Sequence, residues 1–252
     1  MHEFSRTELL IGRKGLGRLA AAHVAVFGVG GVGGHAAEAL ARSGVGAIDL
    51  IDSDRVSLTN LNRQLVALHS TLGQSKVEVL AQRLRDISPS IRVHTHDLFY
   101  LPETADQLPL TDYDYVLDCI DTVAAKLDLI ARCSAAGIPI ISAMGAGNRL
   151  DPTQLRVGDI YETRNCPLAR VMRRELRRRG IGALRVVYST EPAQVPLPDP
   201  DDPDAEQPQA ARRAVPGSMA FVPPVMGMIM ASVAVRELAA ANPAVQEEKE
   251  NQ

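Results

Sequence analysis

The chain has 252 residues, 46% of them hydrophobic, and a formal net charge of −3. That is enough apolar material for one large α/β domain. The charge argues against a general polyanion binder, so any nucleic-acid contact must come from a local patch. The three cysteines, Cys119, Cys133 and Cys166, contain no CxxC pair. This argues against a structural zinc of the usual kind, and the sparse, odd cysteine count fits a reducing cytoplasm.

Met1 to Arg6 lacks the apolar core of a signal peptide. His23 to Gly28 is a short apolar run that stops at glycines, as a buried parallel strand entering a tight turn does. Gly33 to Ser43 carries alanines and leucines at helical spacing, and Ala47 to Asp52 reads as a second strand. Ser75 to Ile87 is an amphipathic helix with Val77, Leu80, Ala81 and Leu84 on one face. Arg92 to Leu98 and Tyr113 to Ile120 are the third and fourth strands, the latter ending at Asp121. A helix over Val123 to Ala136, closed by Gly137, leads to a fifth strand over Pro139 to Met144. This alternation predicts an α/β fold, a Rossmann-like doubly wound, mostly parallel sheet.

After Gly145 the pattern changes to a C-terminal extension of strands and helices. Thr153 to Ile160 and Leu184 to Ser189 read as strands, with a helix over Leu168 to Arg179 between them. Pro192 to Pro216 holds seven prolines and the acidic run Asp199 to Glu206, which predicts a mobile surface loop. Pro224 to Ala241 is a final helix with proline at its start, followed by a polar tail from Asn242. Val215 to Val235 carries no charge and is about long enough to span a bilayer. Pro216, Gly217, Pro223, Pro224 and Gly227 interrupt it, so a buried helix is expected and no membrane span. The expected organisation is a single domain over 1–252. It comprises a nucleotide-binding core (1–150), a C-terminal substrate and dimer part (151–241) containing the loop 192–216, and a tail (242–252).

Gly28, Gly30 and Gly33 fit GxGxxG between a strand and a helix. The first allows the tight turn, the second lets backbone approach a phosphate, and the third packs helix on strand. The helix N-terminus offers free N–H groups to an anion. Asp52, at the tip of the second strand, stands where a ribose hydroxyl would be held. Taken alone, these residues fit a nicotinamide dinucleotide equally well.

A second polar cluster separates the two readings. Asp54, Asn60, Asn62, Arg63 and Gln64 follow the second strand, and Lys76 opens the next helix. Hydride transfer has no need of it. Nucleotidyl transfer does, because charge builds on the α-phosphate while pyrophosphate leaves, and fixed cations stabilise both. Arg63 supplies a planar fork and Lys76 a point charge. Asp121 lies at the carboxyl edge of the sheet, where it could hold Mg²⁺ against phosphates. The plainer readings are a surface ion pair for Arg63, a solvated helix residue for Lys76 and a helix cap for Asp121.

The segments GVGGVGG, LIDSDRVSLTNLNRQ, LGQSK and DCIDT resemble the adenylating domain of the ubiquitin-activating-type (ThiF/MoeB/HesA) superfamily over about residues 4–150. The resemblance implies carboxylate adenylation with ATP and Mg²⁺, usually by a homodimer, with a monovalent cation as a further candidate and no zinc. It implies ATP contacts at Gly31, Asp52, Asn60, Asn62, Arg63, Gln64, Lys76 and Asp121. Phe4-Ser5-Arg6-Thr7 resembles the family's N-terminal arm, which makes Arg6 the candidate to reach a partner subunit's nucleotide. Thr122 stands where the family often has asparagine. The zinc-binding CxxC pairs of the sulfur-carrier members are absent. Instead, Gly145 to Gln154, Cys166-Pro167-Leu168-Ala169 and Val215 to Pro223 resemble one branch, the tRNA threonylcarbamoyladenosine dehydratases. That branch implies cyclisation of a threonylcarbamoyl group on tRNA in the cytoplasm. The alternative is activation of the C-terminal glycine of a small sulfur-carrier protein.

Arg170, Arg173, Arg174 and Arg177 fall on one helical face at i, i+3, i+4 and i+7, a stripe suited to a phosphate backbone. Leu168, Val171, Met172 and Leu176 form another face. Cys166 precedes Pro167 at a helix start, where a thiolate would be favoured. A sulfur-acceptor role would make a sulfur-transfer protein a candidate partner; a partly buried inert cysteine is the plainer reading. Cys119 and Cys133 read as core, and the Met226 to Met230 run as core or dimer packing. His94 and His96 alternate on the third strand and could face one side; with no third ligand nearby, they read as structural.

Overall fold

The computed structural model describes residues 1–197 and 216–240. Seven strands form one sheet: β1 (His23–Phe27), β2 (Ala47–Ile51), β3 (Arg92–His96), β4 (Tyr115–Asp118), β5 (Ile140–Ala143), β6 (Leu155–Asp159) and β7 (Arg185–Ser189). Their order is β3-β2-β1-β4-β5-β7-β6. All neighbours are parallel except β6 and β7, which are antiparallel. The predicted doubly wound sheet is therefore present. β6 and β7 lengthen the same sheet, because β7 pairs with β5.

The central strands are apolar because both faces are covered. On one face Val24, Val26, Ile48 and Leu50 pack under α2 (Gly33–Arg42), α3 (Lys76–Ile87) and α6 (Val222–Ala239). On the other, Ala25, Phe27, Ile51 and Val116 pack against Ala125, Leu129 and Cys133 of α4 (Val123–Ala136). A further cluster joins α5 (Pro167–Arg178) to the sheet through Met172, Leu176 and Val186.

α6 carries the charge-free stretch. By length and composition it is apolar enough to cross a membrane, and half of that window is buried inside the fold. A Cβ at Gly227 would lie 2.2 Å from the Val32 carbonyl oxygen, so this glycine sets the close approach of α6 to the start of α2. Met226 and Met230 are core, as expected, while Met228 is exposed.

One helix has no counterpart in the sequence expectations. α1 (Ser5–Ala21) has left-handed backbone at Gly12 (φ 70°), and only Gly15 and Leu19 are buried. Its apolar signal is weak because it covers the fold with little more than one short stripe. It is held by Arg18 Nε donating to the Ala239 carbonyl of α6 (3.0 Å). The expected loop 192–216 lies largely outside the described residues. Its described ends are both bound to Asn148: Gln194 N donates to the Asn148 carbonyl (2.9 Å), and Asn148 N donates to the Gly217 carbonyl (2.8 Å).

Candidate nucleotide-binding and catalytic site

A cavity of about 600 Å³ opens at the carboxyl ends of β1, β2, β4 and β5. Ligands bind at that edge in such sheets, where the strand order reverses between β1 and β4. The turn from β1 to α2 forms one wall. Gly28 has φ +88°, and a Cβ there would sit 2.7 Å from the Cys119 carbonyl oxygen. A Cβ at Gly33 would lie 1.8 Å from the Gly28 carbonyl oxygen, so only glycine lets α2 start here. Gly30 differs. The nearest atom to its added Cβ would be Gln64 Nε2 at 3.9 Å, so its bareness answers no packing need and leaves space for a ligand.

Asp52 is fixed by this turn. Its Oδ2 accepts from Val29 N (2.6 Å) and its Oδ1 from Asp54 N (2.8 Å). Lys76 is the first residue of α3 and is 4% exposed. It is therefore a buried cation on the cavity wall, paired to Asp54 at 2.8 Å, and not a solvated helix residue. Arg63 is half-buried and donates to the Thr59 carbonyl and to Asn62 Oδ1, both at 2.9 Å, with no carboxylate partner among the described residues. Asn60 uses its Oδ1 to cap the turn at Ser57 N (3.1 Å), and Asn62 Nδ2 donates to the Ser218 carbonyl (2.9 Å). Gln64 is buried, and its Oε1 has no partner among the described residues. Asp121 is exposed at the rim; among the described residues its one hydrogen-bond partner is Thr122 Oγ1 at 3.4 Å. Thr122, not Asp121, is the N-cap of α4, and its side chain makes no cap bond.

Of the predicted set, Gly28, Gly30, Gly31, Asp52, Asp54, Asn60, Arg63, Gln64, Lys76, Asp121 and Thr122 line the cavity. Gly33 lies behind the turn, and Asn62 reaches the cavity rim only through Ser218. Arg6 is exposed on α1 and lines no part of this chain's cavity.

Three features went unforeseen. Arg149 is 2% exposed and lines the cavity; its Nη2 donates to the Asn165 carbonyl (2.6 Å), while Nε and Nη1 have no partner among the described residues. Asp118 and Lys126 form a fully buried ion pair (2.9 Å). Lys126 also donates to the Ile120 carbonyl (3.0 Å), and Ser142 Oγ to Asp118 (2.6 Å), which fixes the backbone that presents Asp121. A signal was available: Lys126 shares a stripe with Leu129, Ile130 and Cys133 at helical spacing. Asn148 is the third, with left-handed backbone (φ 57°) that only a turn residue adopts readily.

Cys119 and Cys133 are not poised for nucleophilic work. Burial, aided by the Asp118 charge, pushes the Cys119 thiol up, and burial pushes Cys133 up to about 12. Cys166 is buried at the N-cap of α5, where its Sγ accepts from Ala169 N (3.5 Å).

The arginine stripe is more engaged than its spacing suggests. Arg173 donates to the Thr163 carbonyl (2.8 Å) and to its hydroxyl. Arg174 pairs with Glu175 (3.0 Å), and Arg177 lies over the Tyr161 ring (4.9 Å). The buried face of α5 is Ala169, Met172 and Leu176, with Leu168 and Val171 only partly covered.

The ThiF family pattern matches residues 4–251. The Bacillus subtilis (strain 168) tRNA threonylcarbamoyladenosine dehydratase is 46% identical over 241 residues, covering 94% of this chain and 95% of the relative. Among solved structures, the Escherichia coli tRNA N6-threonylcarbamoyladenosine dehydratase in complex with ATP superposes with a TM-score of 0.83 at 38% identity, covering 94% of this chain and 93% of that one. The same enzyme in complex with AMP gives 0.83 at 37% identity, covering 99% and 96%. The chain belongs to the ThiF family, on the branch of the tRNA threonylcarbamoyladenosine dehydratases.

Proposed function

We propose that this chain uses ATP to adenylate the threonyl carboxylate of threonylcarbamoyladenosine in tRNA and then closes that group into a ring. The observation that carries the reading is the cavity itself: an open glycine turn facing a buried lysine and an arginine with no carboxylate partner among the described residues. Relatives of near-equal length bear the matching name, and one is held in complex with ATP and with AMP.

The turn at Gly30 and Gly31 receives phosphate oxygens, and Asp52 receives the ribose. A carboxylate oxygen attacks the α-phosphorus and pyrophosphate leaves. Arg63 and Lys76 stabilise the charge that builds there. The open Asp121 carboxylate fits Mg²⁺, which would neutralise phosphate charge when bound. A nitrogen of the modification then attacks the activated carbonyl, gives up its proton and expels AMP, for a net loss of water. The nucleophile belongs to the substrate, so holding it close does much of the work. Arg149 is the candidate for an anionic group of the substrate, since two of its buried nitrogens lack partners among the described residues and an unpaired buried charge is costly. Arg170 and the exposed part of the stripe receive the tRNA backbone. Arg6 and the exposed Leu9 and Leu10 of α1 suit a homodimer in which Arg6 reaches the second copy's nucleotide. A tRNA substrate fits the cytoplasm.

Pyrophosphate exchange into ATP tests this reading. Exchange stimulated by tRNA carrying the threonylcarbamoyl group is expected. Exchange stimulated only by a small carrier protein with a C-terminal glycine would replace it with the sulfur-carrier reading.

A further inference from the structure

Away from the nucleotide cavity, three imidazoles converge on one buried carboxylate. Asp49, in the middle of β2, is 4% exposed. Its Oδ1 lies 2.6 Å from His23 Nε2 on β1 and 2.7 Å from His94 Nδ1 on β3. Its Oδ2 lies 2.8 Å from His96 Nε2 and accepts from the Tyr113 hydroxyl at 2.9 Å. None of these five residues lines the nucleotide cavity. The ligating atoms of His23, Asp49 and His94 all fall within 4.8 Å of one another.

We propose that His23, Asp49 and His94 bind a divalent transition-metal ion of the zinc, nickel or cobalt class, separate from the Mg²⁺ of the reaction. Two imidazoles and one carboxylate suit such ions, whereas magnesium and calcium prefer oxygen alone. The site does not need the cysteine pairs whose absence argued against zinc in the sequence.

Four observations support the assignment. The ligands stand on three adjacent parallel strands, with Asp49 and His94 directly in register, so their Cα positions are rigid. Oδ2 is held by Tyr113 and His96, which aims Oδ1 at His23 and His94, as outer partners orient metal ligands. His94 is 52% exposed and His23 22%, so an ion can enter and water can complete its shell. The rings of His23 and Tyr113 meet edge to face at 5.0 Å, which restricts the His23 ring. The nitrogens now sit at hydrogen-bond distance from Oδ1. Bonds of roughly 2.0–2.2 Å to a tetrahedral zinc place ligand atoms about 3.3 Å apart. Small rotations of the His23 and His94 rings, His94 being the more exposed, account for that difference. Each ligating nitrogen then offers its lone pair, and the ring proton resides on His23 Nδ1 and His94 Nε2.

Cobalt(II) titrated into the metal-stripped full chain tests the site. Visible d–d bands that saturate at one ion per chain, survive excess Mg²⁺ and are displaced by zinc are expected. His94→Gln and His23→Gln should abolish them, and Tyr113→Phe should weaken binding roughly tenfold to a hundredfold. Thermal melts by circular dichroism check that the variants fold. X-ray absorption on the zinc form should show imidazole and oxygen ligands, a readout that needs no variant. No saturable bands, bands retained in folded His23→Gln or His94→Gln protein, or a sulfur shell would overturn the proposal. None of these outcomes bears on nucleotide binding.

Discussion

The Lys76 ammonium lies 2.8 Å from Asp54 Oδ2, yet the lysine side chain is 5% exposed and the aspartate 64%. The pair is asymmetric. Solvent screens the carboxylate, while the cation is fixed in the cavity wall by the first turn of α3. Such a lysine is preorganised for charge that arrives from a ligand. Lys76→Ala is therefore expected to cut turnover by about a hundredfold or more. The partner left behind is already solvated, so the melting temperature should change little. Steady-state rates and a melt on the same sample check both halves.

The glycine turn predicts a split between two neighbouring substitutions. Gly33→Ala drives a Cβ into the Gly28 carbonyl and should abolish the folded protein or lower its melting temperature severely. Gly30→Ala meets nothing closer than 3.9 Å and should melt near the wild type while losing ATP affinity. Calorimetric titration of ATP into the folded Gly30→Ala protein measures the second effect. Unchanged affinity there would remove Gly30 from the phosphate path.

Glu38 gives a pH-dependent prediction away from the site. Burial raises its carboxyl, but Arg83 (2.5 Å) and Arg42 (2.7 Å) outweigh burial and hold it below the ordinary value of 4.5. A lowered folded value means the ion pairs stabilise the protein above the unfolded value. That stability is lost as pH falls through the lower, folded one. Glu38→Gln should cost about 1 kcal/mol or less at neutral pH, because both arginines are partly exposed. The difference should shrink as pH falls below the ordinary value of 4.5. Urea melts of both proteins across that range read it directly.

Among the arginines of α5, Arg170 and Arg173 should separate. Arg170 is exposed, with no ion pair among the described residues, so Arg170→Ala should weaken tRNA binding and reduce its salt slope by about one. Arg173 is tied to Thr163, so Arg173→Ala should lower stability by roughly 1–2 kcal/mol while changing the salt slope less. Binding measured across a salt series, with a melt for each variant, distinguishes them.

The central strands β1, β2, β4 and β5 were legible because they are short apolar runs leading to glycine or aspartate. The residues of the glycine turn and of the second polar cluster could be named because their spacing is local. What escaped the sequence depends on distant partners. Lys126 reads as an ordinary helix lysine until β4 sets Asp118 beneath it. Arg149 reads as a loop cation until the fold buries it beside the Asn165 carbonyl. His94 had no visible third ligand because His23 and Asp49 are brought beside it only by parallel pairing across three strands. α1 was missed because its glycines and thin buried stripe give little periodicity. The arginine stripe was read from spacing alone, which cannot reveal that Thr163 and Tyr161 occupy two of its members.

The central claim is that the substrate's own carboxylate attacks ATP before ring closure. Isotope transfer tests it most directly. tRNA whose threonylcarbamoyl carboxylate carries ¹⁸O is incubated with ATP and enzyme, and the AMP is analysed by mass spectrometry. Adenylation followed by cyclisation requires that a carboxylate oxygen stay on phosphorus, so AMP should carry one ¹⁸O for each ring formed. AMP containing only ordinary oxygen, or ADP as the nucleotide product, would contradict the account.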